Sequence, residues 1–136
     1  MIVACDGASR GNPGPAGVGA QITDQGGVVL AEIAEGIGVA TNNVAEYGAA
    51  IRGLERAREL GAREVLLRSD SRLLIEQLEG RFKVKNPTLQ QLHREARALA
   101  SAFDHVAYEH VRRELNTEAD RLANLGVDAW LARTGR

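Results

Sequence analysis

A single cysteine, Cys5, leaves the 136-residue chain no partner for an internal disulfide and too few thiols for a cysteine-rich zinc site. Charge of either sign is nearly balanced. Seventeen Lys and Arg stand against 18 Asp and Glu, a formal net charge of −1. Whole-chain basicity therefore does not draw it to nucleic acid, and any such binding must rest on local patches. No apolar run is long enough to cross a bilayer. The start, Met1-Ile2-Val3-Ala4, lacks the charged region and long apolar core of a secretory signal. Internal repeats, low-complexity blocks and interdomain linkers are missing too. These absences lead to the expectation of one soluble, cytoplasmic domain over 1–136, with no membrane partner. Hydrophobic residues at 44% and charged residues at 26% are ordinary for such a domain, and the length suffices for a real core.

The stretch Cys5 to Gly17 stands out in what is present. An apolar strand, Ile2 to Asp6, stops at a carboxylate. A loop of glycines and prolines follows, and such a loop is shaped, because glycine supplies unusual backbone angles and proline fixes φ. Val18 to Thr23 reads as a second strand, Asp24 to Gly27 as a turn, and Val28 to Glu35 as a third strand, with Gly36 to Ala40 a connection. From Asn43 to Leu60 the period turns helical, with Val44, Tyr47, Ile51 and Leu54 on one face and Gly61 ending it. Glu64 to Ser69 is a fourth strand, Ser71 to Glu79 a short helix, and Arg81 to Lys85 an irregular basic segment. Pro87 opens a helix reaching about Phe103. His105 to Val111 is the fifth strand. Thr117 to about Leu131 is the last helix, with a frayed tail beyond Thr134. The pattern predicts an α/β fold: a five-stranded mixed sheet, its first three strands antiparallel and the rest joined by crossover helices.

Four acids share one end of this scheme. Asp6 ends the first strand and Asp70 the fourth. Glu46 heads a helical stripe with Ala50, Gly53 and Ala57, small residues that let a helix lie against a sheet. Asp120 lies in the first turn of the last helix. Each has a purely structural use available. Asn43 to Glu46 and Thr117 to Asp120 resemble capping boxes, and Asp70 stands where it would cap the next helix. Taken together they converge on one sheet edge, where like charges repel unless cations intervene. Hard oxygen ligands of this kind suit Mg²⁺ or Mn²⁺.

The motifs carrying these acids resemble those of type 1 ribonucleases H. Asp6-Gly7 followed by Gly11-Asn12-Pro13-Gly14-Pro15-Ala16-Gly17 is similar to the family's first-strand motif. Thr41-Asn42-Asn43-Val44-Ala45-Glu46-Tyr47 resembles its helix entry. Ser69-Asp70-Ser71 matches the end of its fourth strand, and Asn116-Thr117-Glu118-Ala119-Asp120-Arg121-Leu122-Ala123 its last helix. The resemblance runs through nearly the whole chain in the family's order. It implies a metal-dependent endonuclease that cuts the RNA strand of an RNA/DNA hybrid, leaving 5′-phosphate and 3′-hydroxyl ends. Asp6, Glu46, Asp70 and Asp120 would hold two Mg²⁺ ions, with Mn²⁺ a possible substitute. One ion would activate water and the other stabilise the leaving 3′ oxygen. Glu46 and backbone near Gly7 would read RNA 2′-hydroxyls. Asn12, Asn42 and Asn43 would lie in the minor groove. Thr41, Lys85 and Asn86 would contact phosphates. No obligate protein partner is implied, so a monomer is expected.

Two departures accompany the likeness. The Trp- and Lys-rich protrusion of many members is replaced by Arg81, Phe82, Lys83 and Lys85. The loop histidine before the last Asp is absent, because His110 falls within the fifth strand. Alternation along that strand would turn one of Arg112 and Arg113 toward the sheet edge. Arg113, then Glu114, are the candidates for an auxiliary role, and Asn116 is expected to cap the last helix. Two rival functions stand beside this one. The first is a non-catalytic hybrid-binding module, which would not need four carboxylates. The second is a nucleotide-binding α/β protein, whose phosphate loop would have to lead into a helix rather than a strand. The chain could also be one domain of a longer enzyme.

Overall fold

The computed structural model describes residues 1–134, so the tail expected to fray beyond Thr134 lies outside the described residues. Strands β1 (Ile2–Ser9), β2 (Gly14–Thr23) and β3 (Val29–Ala40) form an antiparallel meander. Helix α1 (Asn42–Glu59) leads to β4 (Glu64–Ser69), then α2 (Arg72–Leu78) and α3 (Pro87–Ala100) to β5 (His105–His110), and α4 (Thr117–Arg133) closes the chain. The sheet order is β3-β2-β1-β4-β5, with β4 parallel to both β1 and β5. The mixed five-stranded sheet expected from the pattern is the one observed. No helix among the described residues is long and apolar enough to cross a membrane.

The sheet is covered on both faces, and β2 shows why. Strand alternation sends Val18, Ala20 and Ile22 to one face, where they are wholly buried with Val3, Cys5, Leu54 and Ala57. The expected small-residue stripe of α1 lies on that face: a Cβ at Gly53 would come within 2.5 Å of Val3 Cγ1. The opposite face of β2 presents Gly17 and Gly19 to α4. A Cβ on Gly19 would lie 2.3 Å from the Ala123 nitrogen, so only glycine lets α4 seat there.

That packing corrects the sequence reading of the first strands. β1 continues through Asp6 to Ser9, so Asp6 sits within the strand and not at its end. The glycine- and proline-rich stretch is mostly strand, with only residues 10–13 linking β1 to β2. β3 takes in Gly36 to Ala40, which had read as a connection. Gly17 pairs with Gly36 and Ala16 with Gly38, leaving Ile37 as the extra residue of a bulge. Helix ends differ from expectation by one to three residues.

Candidate active site

Strand pairing sets the first two acids side by side. β1 and β4 run parallel with Cys5 opposite Ser69, so the next residue on each chain is a carboxylate, Asp6 and Asp70. Glu46 arrives from above on α1. Its Oε2 accepts from the Gly7 amide at 3.3 Å. This approach depends on glycine, because a Cβ at position 7 would fall 2.2 Å from the carbonyl carbon of Ala45. One oxygen each of Asp6, Glu46 and Asp70 lies within 4.8 Å of the other two. Asp120 lines the same cleft from the first turn of α4. The cleft holds about 500 Å³.

The structural uses open to these acids are taken by neighbours. Thr41, not Asn43, caps α1, its hydroxyl accepting from the Val44 amide at 3.2 Å. Ser71 caps α2 by accepting from Leu74 at 3.2 Å, which leaves Asp70 free of that task. Asn116 stands at the N-cap position of α4 yet makes no side-chain cap bond. Its Nδ2 instead donates to the carbonyl oxygen of Cys5 at 2.9 Å. Its Oδ1, the atom that would accept from the helix's first amides, makes no hydrogen bond among the described residues, so the side chain joins α4 to β1 instead of capping the helix. Among the described residues none of the four carboxylates joins an ion pair.

Two of these acids, Asp6 and Glu46, hold protons tightly. Burial, then the Asp70 charge, then the neighbouring Asp120 carboxyl raise the Asp6 carboxyl well above its ordinary value. Burial, then Asp6 and Asp70, do the same to Glu46, only partly offset by the Gly7 amide. The Cys5 thiol beneath them is pushed up by its own burial and by Glu46. A close set of hard oxygens that joins no ion pair among the described residues fits a divalent ion, and Asp6, Glu46 and Asp70 could hold one.

The remaining candidates divide. Gly7, Asn42 and Asn43 line the cleft. Asn12 lies beside it, its Oδ1 accepting from the Asn42 amide at 3.1 Å and so tying the β1–β2 link to the start of α1. Lys85 and Asn86 stand apart from the cleft. Lys85 is exposed, and Asn86 caps α3 through Leu89 at 3.1 Å. Arg81 is engaged by Glu76 and Glu79. Arg113 lines the cleft, but from a short 3-10 turn, Arg113–Leu115, and not by strand alternation, because β5 ends at His110. Glu114 is exposed and is not among the lining residues. Arg10, Ser71 and Asn124 line it without having been anticipated. Asn124 had a faint signal, four residues beyond Asp120 on one helical face; Arg10 had none.

A mixed sheet in this strand order, with acids from β1, α1, β4 and α4 in one cleft, defines a ribonuclease H-like domain. Residues 4–126 match the family described as "Reverse transcriptase-like". The chain is 34% identical over 137 residues to "Ribonuclease HI" of Pseudomonas syringae pv. tomato, covering 90% of this chain and 89% of that one. It belongs to the type 1 ribonuclease H family. It is 46% identical over 123 residues to "Ribonuclease HI" of Halobacterium salinarum, covering 90% of this chain and 62% of the other. The "Bifunctional protein Rv2228c" of Mycobacterium tuberculosis is 53% identical over 130 residues, 95% of this chain but 36% of that protein, so the chain spans about a third of the relative's length. Among solved structures, RNase H1 from Halobacterium salinarum superposes with a TM-score of 0.92 at 44% identity, covering 94% and 97% of the two chains. LC11-RNase H1 in complex with RNA/DNA hybrid superposes with a TM-score of 0.91 at 41% identity, covering 96% and 98%.

Proposed function

We propose that this chain is a single ribonuclease H domain that hydrolyses the RNA strand of an RNA/DNA hybrid, leaving 5′-phosphate and 3′-hydroxyl ends. The observation that carries this reading is the meeting of Asp6, Glu46 and Asp70 within 4.8 Å, free of cap and ion-pair duties, in a family whose members include a hybrid-bound structure. A binding module would have no use for so costly a cluster of like charges. All four carboxylates come from one chain, which supports a monomer as the working unit.

Asp6, Glu46, Asp70 and Asp120 would hold two Mg²⁺ ions, with Mn²⁺ a substitute. Such ions lower the pKa of a bound water and offset charge on the leaving 3′ oxygen. The chain's own part is arrangement. The Gly7 amide holds one oxygen of Glu46 and fixes the carboxylate's orientation. Glu46 and the Gly7 backbone face the strand's 2′-hydroxyls, which DNA lacks. Asn42 and Asn43 at the cleft, steadied by Asn12, sit toward the minor groove. Thr41, Lys85 and Asn86 take DNA-strand phosphates farther out. Arginine carries a fixed positive charge, so Arg113 steadies phosphate charge and does not move protons.

The deciding experiment is strand-specific cleavage of a hybrid, a DNA duplex and an RNA duplex, with and without Mg²⁺. Cleavage of the hybrid's RNA strand alone, and only with metal, is expected. Cutting of the DNA strand, or binding without cleavage, would overturn the proposal.

A further inference from the structure

One cation lines the cleft that none of the sequence motifs puts to use. Arg10 belongs to the link between β1 and β2, and its side chain folds over α4. Nη1 pairs with Asp128 at 2.8 Å. Nη2 lies 3.4 Å from both the main-chain oxygen and Oδ1 of Asn124. Asn124 in turn donates from Nδ2 to the carbonyl oxygen of Asp120 at 3.0 Å, with the Asp120 carboxylate 3.5 Å away. These contacts orient the Asn124 amide: its acceptor end meets the guanidinium and its donor end meets Asp120. Flipping it would set donor against donor at one end and acceptor against acceptor at the other. Arg10 is therefore aimed at the cleft by a chain of contacts ending on a member of the acid cluster.

We propose that Arg10 contacts a phosphate of the RNA strand beside the cleavage position, with Asn124 orienting its guanidinium and Asp128 a weak tether that it gives up when the strand binds. This rests on the reading above, in which the cleft takes that strand. Four carboxylates repel a polyanion, and a planar guanidinium at their margin offers the paired donors that a phosphate accepts. Its present contacts leave it available. The ion pair with Asp128 is exposed on both sides, at 41% and 60%, and such pairs hold weakly. The two contacts to Asn124 are long, and the guanidinium has five N–H donors to share. The competing explanation is that Arg10 merely staples the link to α4.

Binding of a fluorescent RNA/DNA hybrid across a salt series, with steady-state cleavage of the same duplex, separates the two. Arg10→Ala is expected to raise KM about ten- to a hundredfold, the scale of one charge-assisted hydrogen bond. It should also flatten the salt slope by about 0.9, one phosphate's share, with kcat little changed. Asp128→Ala removes only the tether and should leave KM at or below the parental value. If Asp128→Ala raises KM as much as Arg10→Ala, or if Arg10→Ala keeps the parental KM and slope, the contact is a staple and the proposal falls. A parent chain that cleaves no hybrid instead overturns the reading of the site, an outcome seen before any variant is made.

Discussion

Asn116 donates from Nδ2 to the carbonyl oxygen of Cys5 across 2.9 Å, joining residues 111 apart in the chain. The bond fastens the start of α4 to β1 at the residue before Asp6, and so helps set Asp120 against Asp6. Asn116 is only 2% exposed, and its Oδ1 has no partner among the described residues. Asn116→Ala should destabilise the fold by about 1–3 kcal/mol, the range for a lost buried hydrogen bond. Hybrid cleavage should fall further than that stability loss explains. Urea midpoints and initial rates on the same preparation measure both. Parental values for each would show that the start of α4 is held by packing alone.

Gly7 is the second hinge of the arrangement, between β1 and α1. A methyl there meets Ala45 at 2.2 Å, and backbone cannot step aside as a side-chain tip can. Gly7→Ala should push α1 outward and carry Glu46 with it. Overpacking of this kind costs about 1–3 kcal/mol, and displacement of a reacting group by about 1 Å costs on the order of a hundredfold in rate. Thermal melts and cleavage rates test it; a variant that melts and cuts like the parent would refute the close approach.

These two contacts show what the sequence could and could not reveal. Apolar periodicity located all five strands and the four helices, because burial on one or two faces is written in residue type. Glu46, Asp70 and Asp120 were legible because they stand beside the turns and caps that end elements, and Asp6 because a carboxylate breaks the apolar run of β1. Glycines misled: Gly14, Gly17 and Gly36 read as loop, yet they lie in strands, and Gly17 and Gly36 clear space for α4 there, a demand set by residues a hundred positions away. In Thr41-Asn42-Asn43 any of three residues can cap, and only backbone angles choose Thr41. Arg113 reached the cleft by a turn the strand pattern did not contain. Arg10 gave no sign, since its partner Asn124 lies 114 residues on.

Proton affinity at the cluster predicts how the metal-free protein responds to pH. In the fold Asp6 is raised to about 8 and Glu46 to about 9, against about 4 for an ordinary carboxyl. The folded state therefore keeps protons that the unfolded chain gives up. That stabilising contribution is complete below about pH 4 and is lost progressively as pH rises through 8 to 9. In EDTA the melting temperature should fall between pH 5 and pH 9, and fall less for Asp6→Asn, which lacks one of the two groups. At pH 8 Asp6→Asn should melt above the parent while losing nearly all cleavage. Added Mg²⁺ should raise the parent's melting temperature there and move the variant's far less. Equal pH profiles for parent and variant would show that the cluster bears no such strain.

The basic segment offers a contrast between neighbours. Arg81 is committed to Glu76 and Glu79, whereas Lys83 and Lys85 are exposed and appear in no ion pair among the described residues. Lys83→Ala with Lys85→Ala should weaken hybrid binding and flatten its salt dependence, because each phosphate contact releases counterion. Arg81→Ala should change the slope little. Salt-series binding of the three proteins decides it, and an unchanged slope for the double variant would remove this segment from the substrate's path.

Arg113 and Glu114 stand side by side in sequence but not in role. The 3-10 turn after β5 places Arg113 on the cleft wall and leaves Glu114 in solvent. Arginine stays protonated, so a contribution from Arg113 must come from fixed positive charge near the phosphate as charge builds on the leaving oxygen. Removing one such contact costs about ten- to a hundredfold in turnover. Arg113→Ala should show a loss of that size with the folded protein's melting temperature unchanged. Arg113→Lys should recover part of it, since charge matters more here than fork geometry. Glu114→Ala should turn over at the parental rate. The pH–rate profile discriminates further: Arg113→Ala should lower the curve without shifting its midpoints, because no proton passes through the guanidinium. A shifted midpoint, or a larger loss from Glu114→Ala than from Arg113→Ala, would move the auxiliary role to the glutamate and to proton transfer.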